Sequence, residues 1–334
     1  MGNDYYDIIS PMKYKISAKY KCFVLLFEVL GIIALLPFFY QLIPVNQDAQ
    51  KIFYIDSSNP DDISKILCKN GYEVTFIDRW VLQLAETPRE GWYSLNPDKN
   101  RLSFFKSIYR HKASTMSIKI YAGESSCEVI DRVAKDMKLD KNILHKEYDK
   151  RAIFKEGDII AGEYIVARKA NEKAIMDYLF TTSKIKLDSF IKRNFKCLPS
   201  KETINKLLTV ASIIQKETNS INEMPLISSI IYNRLNRGMK LQMDATLNYK
   251  KMSHTVVTAQ MIREDSSRYN TYKHKGLPPT PIGTITLDAL HSALYPIKSD
   301  YLFFMLQKDG THAFASTYKE HLENIKKFKN RQKS

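Results

Sequence analysis

The sequence lacks the short motifs that mark several common enzyme classes. Its 334 residues contain no HExxH, no paired CxxC, no GxSxG and no P-loop string, and the seven histidines are scattered. The sequence therefore lacks the residues of a metallopeptidase, a zinc site, the nucleophile elbow of an α/β-hydrolase or an NTPase. No metal or cofactor is expected. Cysteine is scarce too. Beyond Cys22, the residues Cys68, Cys127 and Cys197 allow at most one intramolecular disulfide, and the sequence does not indicate which.

Long hydrophobic runs are also rare, and the sequence has one. Cys22 to Ile43 is apolar except for Glu28 and Gln41, and about 20 helical residues cross a hydrocarbon core of about 30 Å. A cleaved signal peptide is the alternative, but its apolar region spans only about 7–15 residues and a small-x-small cleavage site is missing here. Lysines at positions 13, 15, 19 and 21 precede the run. The positive-inside rule therefore predicts a cytoplasmic N-terminus and an exported remainder.

One carboxylate stands at the end of an otherwise apolar helix. From about Asn205, polar residues recur at i, i+4, i+7 and i+11, and apolar residues cover the rest of the circumference. Glu217 lies one turn beyond Ile213 on an apolar flank, so partial burial should raise its pKa. A carboxylic acid that keeps its proton near neutral pH can act as a general acid. A solvated glutamate at a fraying helix end is the alternative.

Four segments then follow one another: ASIIQKET, NRLNRGMKLQMDAT, RYNTYKHKGLPPTPIG, and YLFFMLQKDGTHAF with STYKEH. In order and spacing, over roughly Leu207 to His321, they resemble the YceG-like (MltG) family of endolytic murein lytic transglycosylases. The sequence departs from the family pattern at Gln215, where the family has an acidic residue, and at Ala245, where it usually has proline. An upstream family segment of the type EG…PDTY survives only as EGDIIAGEY, residues 156–164.

The resemblance implies a reaction and a set of site residues. The family's catalytic glutamate corresponds to Glu217, and the expected product of cutting between N-acetylmuramic acid and N-acetylglucosamine is a 1,6-anhydro end. Trimming or terminating nascent strands is the expected role. The carried-over substrate-binding residues are Gln242, Asp244, Thr246, Asn270 and Tyr272. A non-catalytic, membrane-anchored glycan-binding scaffold of the cell-wall synthesis machinery is the alternative.

Residue patterns around these motifs add further expectations. Gln242, Asp244 and Thr246 alternate with apolar residues, so they share one face if this piece is extended. Arg234 either complements the negative end of its helix or holds a carboxylate in the site. His312 and His321 match family positions, although a hydrogen-bonded structural histidine is the favoured interpretation.

The partners follow from charge and resemblance together. The sequence has 51 Lys and Arg against 36 Asp and Glu, a formal net charge of +15. Nucleic acid is the usual partner of a basic chain, but the lysines are dispersed and no nucleic-acid-binding motif is present. Anionic lipid headgroups and carboxylate-rich peptidoglycan strands fit better. We therefore expect a single-pass protein of the cell inner (cytoplasmic) membrane, with penicillin-binding and other cell-wall synthesis proteins as further partners.

The predicted fold class is α+β. We expect a cytoplasmic tail (1–21), a transmembrane helix (22–43), a small extracytoplasmic subdomain (44–115), a LysM-like α/β subdomain with a connecting helix (116–199) and an α/β catalytic domain (200–334). The LysM-like assignment depends on a strand near Ser117–Tyr121, a turn at Gly123 and a helix over Ser125–Lys138, which any small βα element would also give. Two connections are expected as well: a short polar linker that enters a strand over Gln47–Asp56, and a largely helical stretch over Thr182–Asn205 that leads into the catalytic helix.

Overall fold

The computed structural model describes residues 18–86, 88–97, 99–248, 253 and 255–330. The chain divides into two compact units, Met1–Lys112 and Ala113–Ser334. All strands in the described residues form two-stranded antiparallel sheets between helices, so the α+β class is confirmed. Most of the predicted cytoplasmic tail, including Lys13 and Lys15, lies outside the described residues.

The first unit begins with α1, Ala18–Leu42, and Lys19–Leu42 within it is long and apolar enough to cross a membrane. The remaining elements of this unit are β1 (Ile52–Ile55), α2 (Pro60–Lys69), α3 (Phe76–Leu84), β2 (Gly91–Ser94), α4 (Arg101–Ser107) and a 3₁₀ turn (Ile108–Arg110). Strands β1 and β2 pair so that Phe53 faces Tyr93. Helix α3 begins at a capping box in which the Thr75 hydroxyl accepts from the Asp78 N–H and Asp78 accepts from the Thr75 N–H.

The segment after α1 differs from the predicted polar linker. Val45 and Ala49 are buried in the core of the first unit, and the Gln50 N–H donates to the Asn70 carbonyl. The strand expected within Gln47–Asp56 is confirmed as β1, whereas the polar stretch before it is docked, because Ala49 within it and Val45 just before it are apolar and buried. The segment between α1 and β1 is therefore packed against the rest of the first unit.

The second unit begins with a strand, two helices and a strand. These are β3 (Thr115–Ile120), α5 (Ser126–Met137), α6 (Lys141–Asp149) and β4 (Gly162–Ala167), and β3 pairs antiparallel with β4. A second capping box, Ser125 with Glu128, starts α5 where the sequence predicted it. The predicted strand, turn and helix are confirmed, and the LysM-like identity stays a prediction.

The stretch that leads into the catalytic helix is largely helical, as predicted, but it contains one break. Helix α7 (Glu172–Asn194) and helix α8 (Lys201–Glu217) are separated by residues 195–200. Pro199 biases the residue before it away from helical geometry, and the Ser200 hydroxyl accepts from the Thr203 N–H as the cap of a new helix. The helical periodicity alone could not show this break.

Helix α8 forms the centre of the larger core. It packs against α9 (Met224–Asn236), with Pro225 in the first turn as predicted, and against α11 (Leu287–Leu294). The other elements here are a 3₁₀ turn (Asp244–Thr246), α10 (Ala259–Glu264), β5 (Phe303–Leu306), β6 (His312–Ala315) and α12 (Tyr318–Asn330). Strands β5 and β6 form a hairpin.

Backbone contacts join the two halves of the second unit. The Gly123 N–H donates to the Thr284 carbonyl, the Thr284 N–H donates to the Glu124 carbonyl, and the Ala161 N–H donates to the Ile285 carbonyl. Gly283 must be glycine in this packing, because a Cβ there would lie 2.8 Å from the Gly123 oxygen. The predicted boundary between residues 199 and 200 falls inside this unit and stays a prediction.

Candidate active site

Glu217 is the last residue of α8, and its environment favours the protonated acid. The Oε1 atom is buried and has no hydrogen-bond partner among the described residues. The pKa of Glu217 is raised to about 7, mainly by burial; the Ala245 backbone N–H lowers it and the nearby Asp244 carboxylate raises it. The carboxyl also lies at the negative end of the helix dipole, which disfavours its ionised form.

A second carboxylate lies close to the first. Asp244 starts the 3₁₀ turn after α9 and accepts a hydrogen bond of 2.6 Å from the Tyr272 hydroxyl. Burial and the Asp244 carboxylate both raise the pKa of Tyr272, so its hydroxyl keeps its proton and remains a donor. Asp244 itself is exposed. The two carboxyl groups therefore differ in environment, one buried and one solvated.

Both carboxyl groups line one cleft of about 480 Å³. Its walls combine polar groups with the aromatic and apolar side chains that sugar rings and extended ligands pack against. The lining residues are Glu217, Arg234, Leu241, Gln242, Met243, Asp244, Tyr272, Phe303, Phe304, Met305, Leu306, His312, Tyr318 and His321.

Two of the predicted substrate-binding residues do not line this cleft. Thr246 is fully buried, where its hydroxyl donates to the Met243 carbonyl and shares a hydrogen bond with Thr271. Asn270 is fully buried as well and donates to the carbonyls of Ile262 and Asp265.

The expectation of one polar face over residues 242–246 was therefore wrong. Gln242 has a positive φ of 51°, and the chain turns into a 3₁₀ helix at Asp244. The alternation of an extended strand is lost there, so Gln242 and Asp244 are exposed while Thr246 points inward.

Arg234 lies in the last turn of α9, which fits the first role considered for it, and its guanidinium donates to backbone carbonyls. Its side chain is largely buried, with Nε donating to the Leu302 carbonyl at 2.6 Å and Nη1 to the Leu241 carbonyl at 2.6 Å. The guanidinium also lies 5.2 Å from the centre of the Phe303 ring. It thus connects α9 to the chain on two sides of the cleft and supplies a fixed positive charge to its wall.

A buried carboxylate that the sequence reasoning missed holds one of the histidines. Glu223 Oε2 lies 2.8 Å from His312 Nδ1, Oε1 accepts from the His312 N–H at 2.7 Å, and the Thr218 hydroxyl also donates to Oε2. Burial favours neutral Glu223, but these hydrogen bonds outweigh it and lower its pKa. His312 Nδ1 is thereby occupied, and Nε2 is left as the ring nitrogen available to the cleft.

His321, on α12, stacks on Phe303 with ring centres 5.3 Å apart. Burial, followed by the positive charge of Arg234, lowers its pKa, so it is neutral at pH 7. The predicted interpretation as a structural histidine fits His312 only in part, since that side chain also lines the cleft.

Gln215, the departure from the family pattern, faces away from the cleft. Its Oε1 accepts from the Thr286 N–H at 3.2 Å and from the Thr286 hydroxyl at 2.7 Å. Thr286 is the cap of α11. Gln215 therefore fastens two core helices together.

The part of the chain that the structure describes holds no group of three or more His, Cys, Asp or Glu side chains able to bind a metal ion. All four cysteines are free.

Comparisons with known proteins give one consistent set of matches. A family model described as the YceG-like family matches residues 55–327. A Bacillus subtilis (strain 168) protein named endolytic murein transglycosylase is 38% identical over 129 residues, 39% of this chain and 36% of that protein. The protein of the same name from Streptococcus pneumoniae (strain D39) is 30% identical over 177 residues, 51% of this chain and 31% of that protein. The chain thus spans about a third of the length of these curated relatives.

A solved structure agrees with the sequence matches. The crystal structure of a yceG-like protein from Listeria monocytogenes is 26% identical in sequence and superposes with a TM-score of 0.51. The alignment covers 83% of this chain and 99% of that one.

Proposed function

The chain belongs to the YceG-like family, and from this premise we propose that it is an endolytic peptidoglycan lytic transglycosylase. It cleaves the bond between N-acetylmuramic acid and N-acetylglucosamine inside glycan strands and leaves 1,6-anhydromuramyl ends. The curated relatives that it matches are named endolytic murein transglycosylases. Its role is to trim or terminate nascent strands.

The observation that carries this proposal is the burial of the Glu217 carboxyl beside the cleft, which raises its pKa to about 7. A carboxyl group with a pKa of about 7 is half protonated at neutral pH, whereas an ordinary glutamate is almost fully ionised. An acid with its pKa near the working pH donates and accepts protons most efficiently. Glu217 can therefore serve both steps of the reaction in turn.

In the first step, Glu217 donates its proton to the glycosidic oxygen as positive charge develops at C1 of the muramyl ring. In the second step, the carboxylate takes the proton of the muramyl 6-hydroxyl while that oxygen bonds to C1. The attack is intramolecular, so the high effective molarity of the hydroxyl replaces a positioned water. A cofactor is not required for either step.

The other cleft residues have roles around this centre. Asp244 stabilises the developing cation, and Tyr272 fixes the orientation of Asp244 through the 2.6 Å hydrogen bond. Gln242 and His312 Nε2 offer hydrogen bonds to sugar hydroxyl or acetamido groups. Thr246 and Asn270 support the chain behind the cleft and stay out of substrate contact.

The anchoring is part of the same proposal. We place α1 across the inner membrane with its N-terminus in the cytoplasm and all residues after Ile43 outside it, because the helix is long and apolar enough and lysines precede it. Cell-wall synthesis proteins, penicillin-binding proteins among them, are the proposed neighbours. Residues 116–199 are proposed as a LysM-like glycan-binding unit and 200–334 as the catalytic part of the second unit.

Mass spectrometry of the products from purified murein glycan tests the reaction. An anhydro end and a reducing end differ by one water, so anhydromuramyl products support the transglycosylase. Dominant reducing-end muramic acid would instead make the protein a hydrolase with Asp244 as the second carboxylate, since hydrolases need a carboxylate pair. Glycan binding without cleavage would favour the non-catalytic scaffold. A scaffold of that kind has no need for a protonated Glu217.

A further inference from the structure

Helix α3 carries an apolar stripe that faces solvent. Phe76, Trp80 and Leu84 follow at i, i+4 and i+8, and their exposed fractions are 74%, 68% and 87%. Residues at this spacing lie along one face of a helix. We call these three residues the α3 stripe. Water-facing rows of large apolar side chains usually mark an interaction site with a protein or a membrane.

The opposite face of α3 is fixed to the end of α1. Asp78 is fully buried, and it accepts hydrogen bonds from the Tyr40 hydroxyl and from Arg101 at 2.9 and 2.6 Å. Arg101 also donates to the carbonyl of Pro44, two residues past the end of α1. This network of hydrogen bonds and one ion pair sets the position of α3 relative to the last turn of α1.

The length of α1 then gives the depth of α3 relative to a bilayer. About 20 helical residues cross the hydrocarbon core, so if the span begins near Cys22, Tyr40 lies near the outer boundary of that core. The headgroup layer adds about 5–7 Å beyond the boundary, and a helix with its side chains is about 10–12 Å across. Since α3 touches Tyr40, its outward face lies within about one helix diameter of the hydrocarbon boundary.

The chemistry of the surface around the stripe suits this depth. Tryptophan is enriched where membrane and water meet, because its ring is apolar and its N–H is polar. A shallow depression next to Leu84 is lined in part by Leu102, Tyr109, Lys106 and Arg110. Basic side chains beside exposed apolar ones are the arrangement of helices that lie in the headgroup layer of anionic membranes.

We propose that the α3 stripe inserts at the boundary between headgroups and acyl chains, on the outer side of the membrane that α1 crosses. The stripe and the helix then hold the first unit at a fixed height and orientation on the lipid surface. Two attachment points resist tilting of this unit where a single helix does not. The inference depends on the proposed membrane span of α1 but not on the proposed reaction.

The two tryptophans of the chain give a direct test. Trp80 belongs to the stripe, whereas Trp92 is buried in β2 with an exposed fraction of 3%. The full chain is reconstituted into vesicles of phosphatidylcholine and phosphatidylglycerol, with or without brominated acyl chains. Trp92→Phe isolates the signal of Trp80, and Trp80→Phe isolates that of Trp92.

We expect brominated lipids to reduce Trp80 fluorescence by about twofold or more, because its ring reaches the upper acyl chains, and to leave Trp92 nearly unchanged. The pair Phe76→Ser and Leu84→Ser should weaken the quenching of Trp80. Leu198→Ser is the matched control, since Leu198 is also a highly exposed leucine (84%) but lies in the second unit.

Equal, weak quenching of both tryptophans in a chain that floats with the vesicles would overturn the inference and leave the anchoring intact. A blue shift of Trp80 that grows with protein concentration, without quenching, would assign the stripe to a second copy of the chain instead. A chain that fails to float with the vesicles would overturn both the anchoring and the inference.

Discussion

Asp78 in the first unit and Glu217 in the second are both carboxyl groups at helix positions with buried oxygen atoms, yet their charge states differ. Burial favours the neutral form of Asp78, but hydrogen bonds from Arg101, Tyr40 and Thr75 outweigh it and lower its pKa. No cation is bound to Glu217 among the residues that the structure describes, and burial is the main cause that raises its pKa to about 7. Burial acts in the same direction on both groups, and hydrogen bonds reverse its effect at Asp78.

The difference separates a structural carboxylate from a reactive one. Asp78 is held as a carboxylate in a bidentate pair with Arg101, so it does not exchange a proton near neutral pH, and loss of the pair would disturb the fold. Glu217 Oε1 has no hydrogen-bond partner among the described residues. An acid in that condition costs stability in the folded protein and is poised to exchange its proton with a substrate.

The largest expected effect comes from removing the reactive acid. Glu217→Gln keeps the shape of the side chain but cannot transfer a proton. We expect murein cleavage to fall by about 10²–10⁴-fold or more, since general acid–base assistance is worth that much and Glu217 serves both steps. Turnover of purified glycan is the measurement. Glu202→Gln, which changes an exposed glutamate on the same helix, should leave the rate unchanged. Full activity of Glu217→Gln would remove Glu217 from the reaction.

The second-largest effect is expected on stability, from breaking the ion pair between Asp78 and Arg101. Arg101→Met leaves Asp78 buried without its cation, and breaking a buried pair in this way costs about 3–5 kcal/mol of folding free energy. We expect the unfolding transition of the first unit to move to markedly lower urea concentration, while cleavage by the second unit is retained. Lys65→Met removes an exposed ion pair with Asp62 in the same unit and is the control. Equal effects of the two substitutions would show that the Asp78 pair is dispensable.

Glu217→Gln should also change stability, in the opposite direction to Arg101→Met. The folded pKa of Glu217 is raised, so the unfolded chain ionises first as pH rises from 4.5 to about 7, and the stability of the wild-type protein falls over that window. Glutamine carries no such cost. Each pKa unit corresponds to about 1.4 kcal/mol, so above pH 7 the variant should be more stable by up to about 3 kcal/mol, and equally stable below pH 4.5.

Urea unfolding of the second unit at pH 4.5 and pH 8 measures this difference. A stability gap that does not depend on pH would mean that Glu217 is ionised in the folded protein, and the proposed acid role would lose its support.

Local patterns in the sequence were enough to predict one side of the comparison. The burial of Glu217 follows from the periodicity of its own helix, which needs no information about distant residues. The Asp78–Arg101 pair joins residues 23 positions apart on two short helices, and Tyr40 reaches the same carboxylate from α1. Such pairing depends on the tertiary fold, so the sequence reasoning did not identify it.

The errors near the cleft have a similar origin. The interpretation of residues 242–246 assumed an extended backbone, and the positive φ of Gln242 with the 3₁₀ turn after it reversed the direction of Thr246. Glu223 was missed because in the sequence it is simply an acidic residue before a helix. Only the fold shows its role, since β6 brings His312 into contact with it. Side-chain chemistry was read correctly where the backbone was regular and incorrectly where it turned.

Ala245 allows the pKa of Glu217 to be adjusted without touching its side chain. The Ala245 N–H stabilises the ionised form of Glu217, and proline, the residue usual here in the family motif, has no N–H. We expect Ala245→Pro to raise the pKa of Glu217 and to move the alkaline fall of the cleavage rate to higher pH. Ala245→Gly keeps the N–H and should leave the pH profile in place. Circular dichroism confirms that both variants are folded, and an unmoved profile for Ala245→Pro would exclude a role for this N–H.

The smallest effect is expected at Gln215, the other departure from the family pattern, two residues before the reactive acid. Its Oε1 accepts two hydrogen bonds from Thr286, at the N-terminus of α11, and its Nε2 donates to Asn219 Oδ1 at 3.1 Å. In Gln215→Glu a carboxylate can accept the same two bonds and gains from the positive end of α11, while the Asn219 amide can turn to donate. We expect the cleavage rate to change by less than about tenfold, well below the loss at Glu217, because the new charge faces the core helices and not the cleft. A rate loss as large as that of Glu217→Gln would place residue 215 in the reaction. It would also show that hydrogen-bond partners do not distinguish a structural carboxylate from a reactive one at this end of α8.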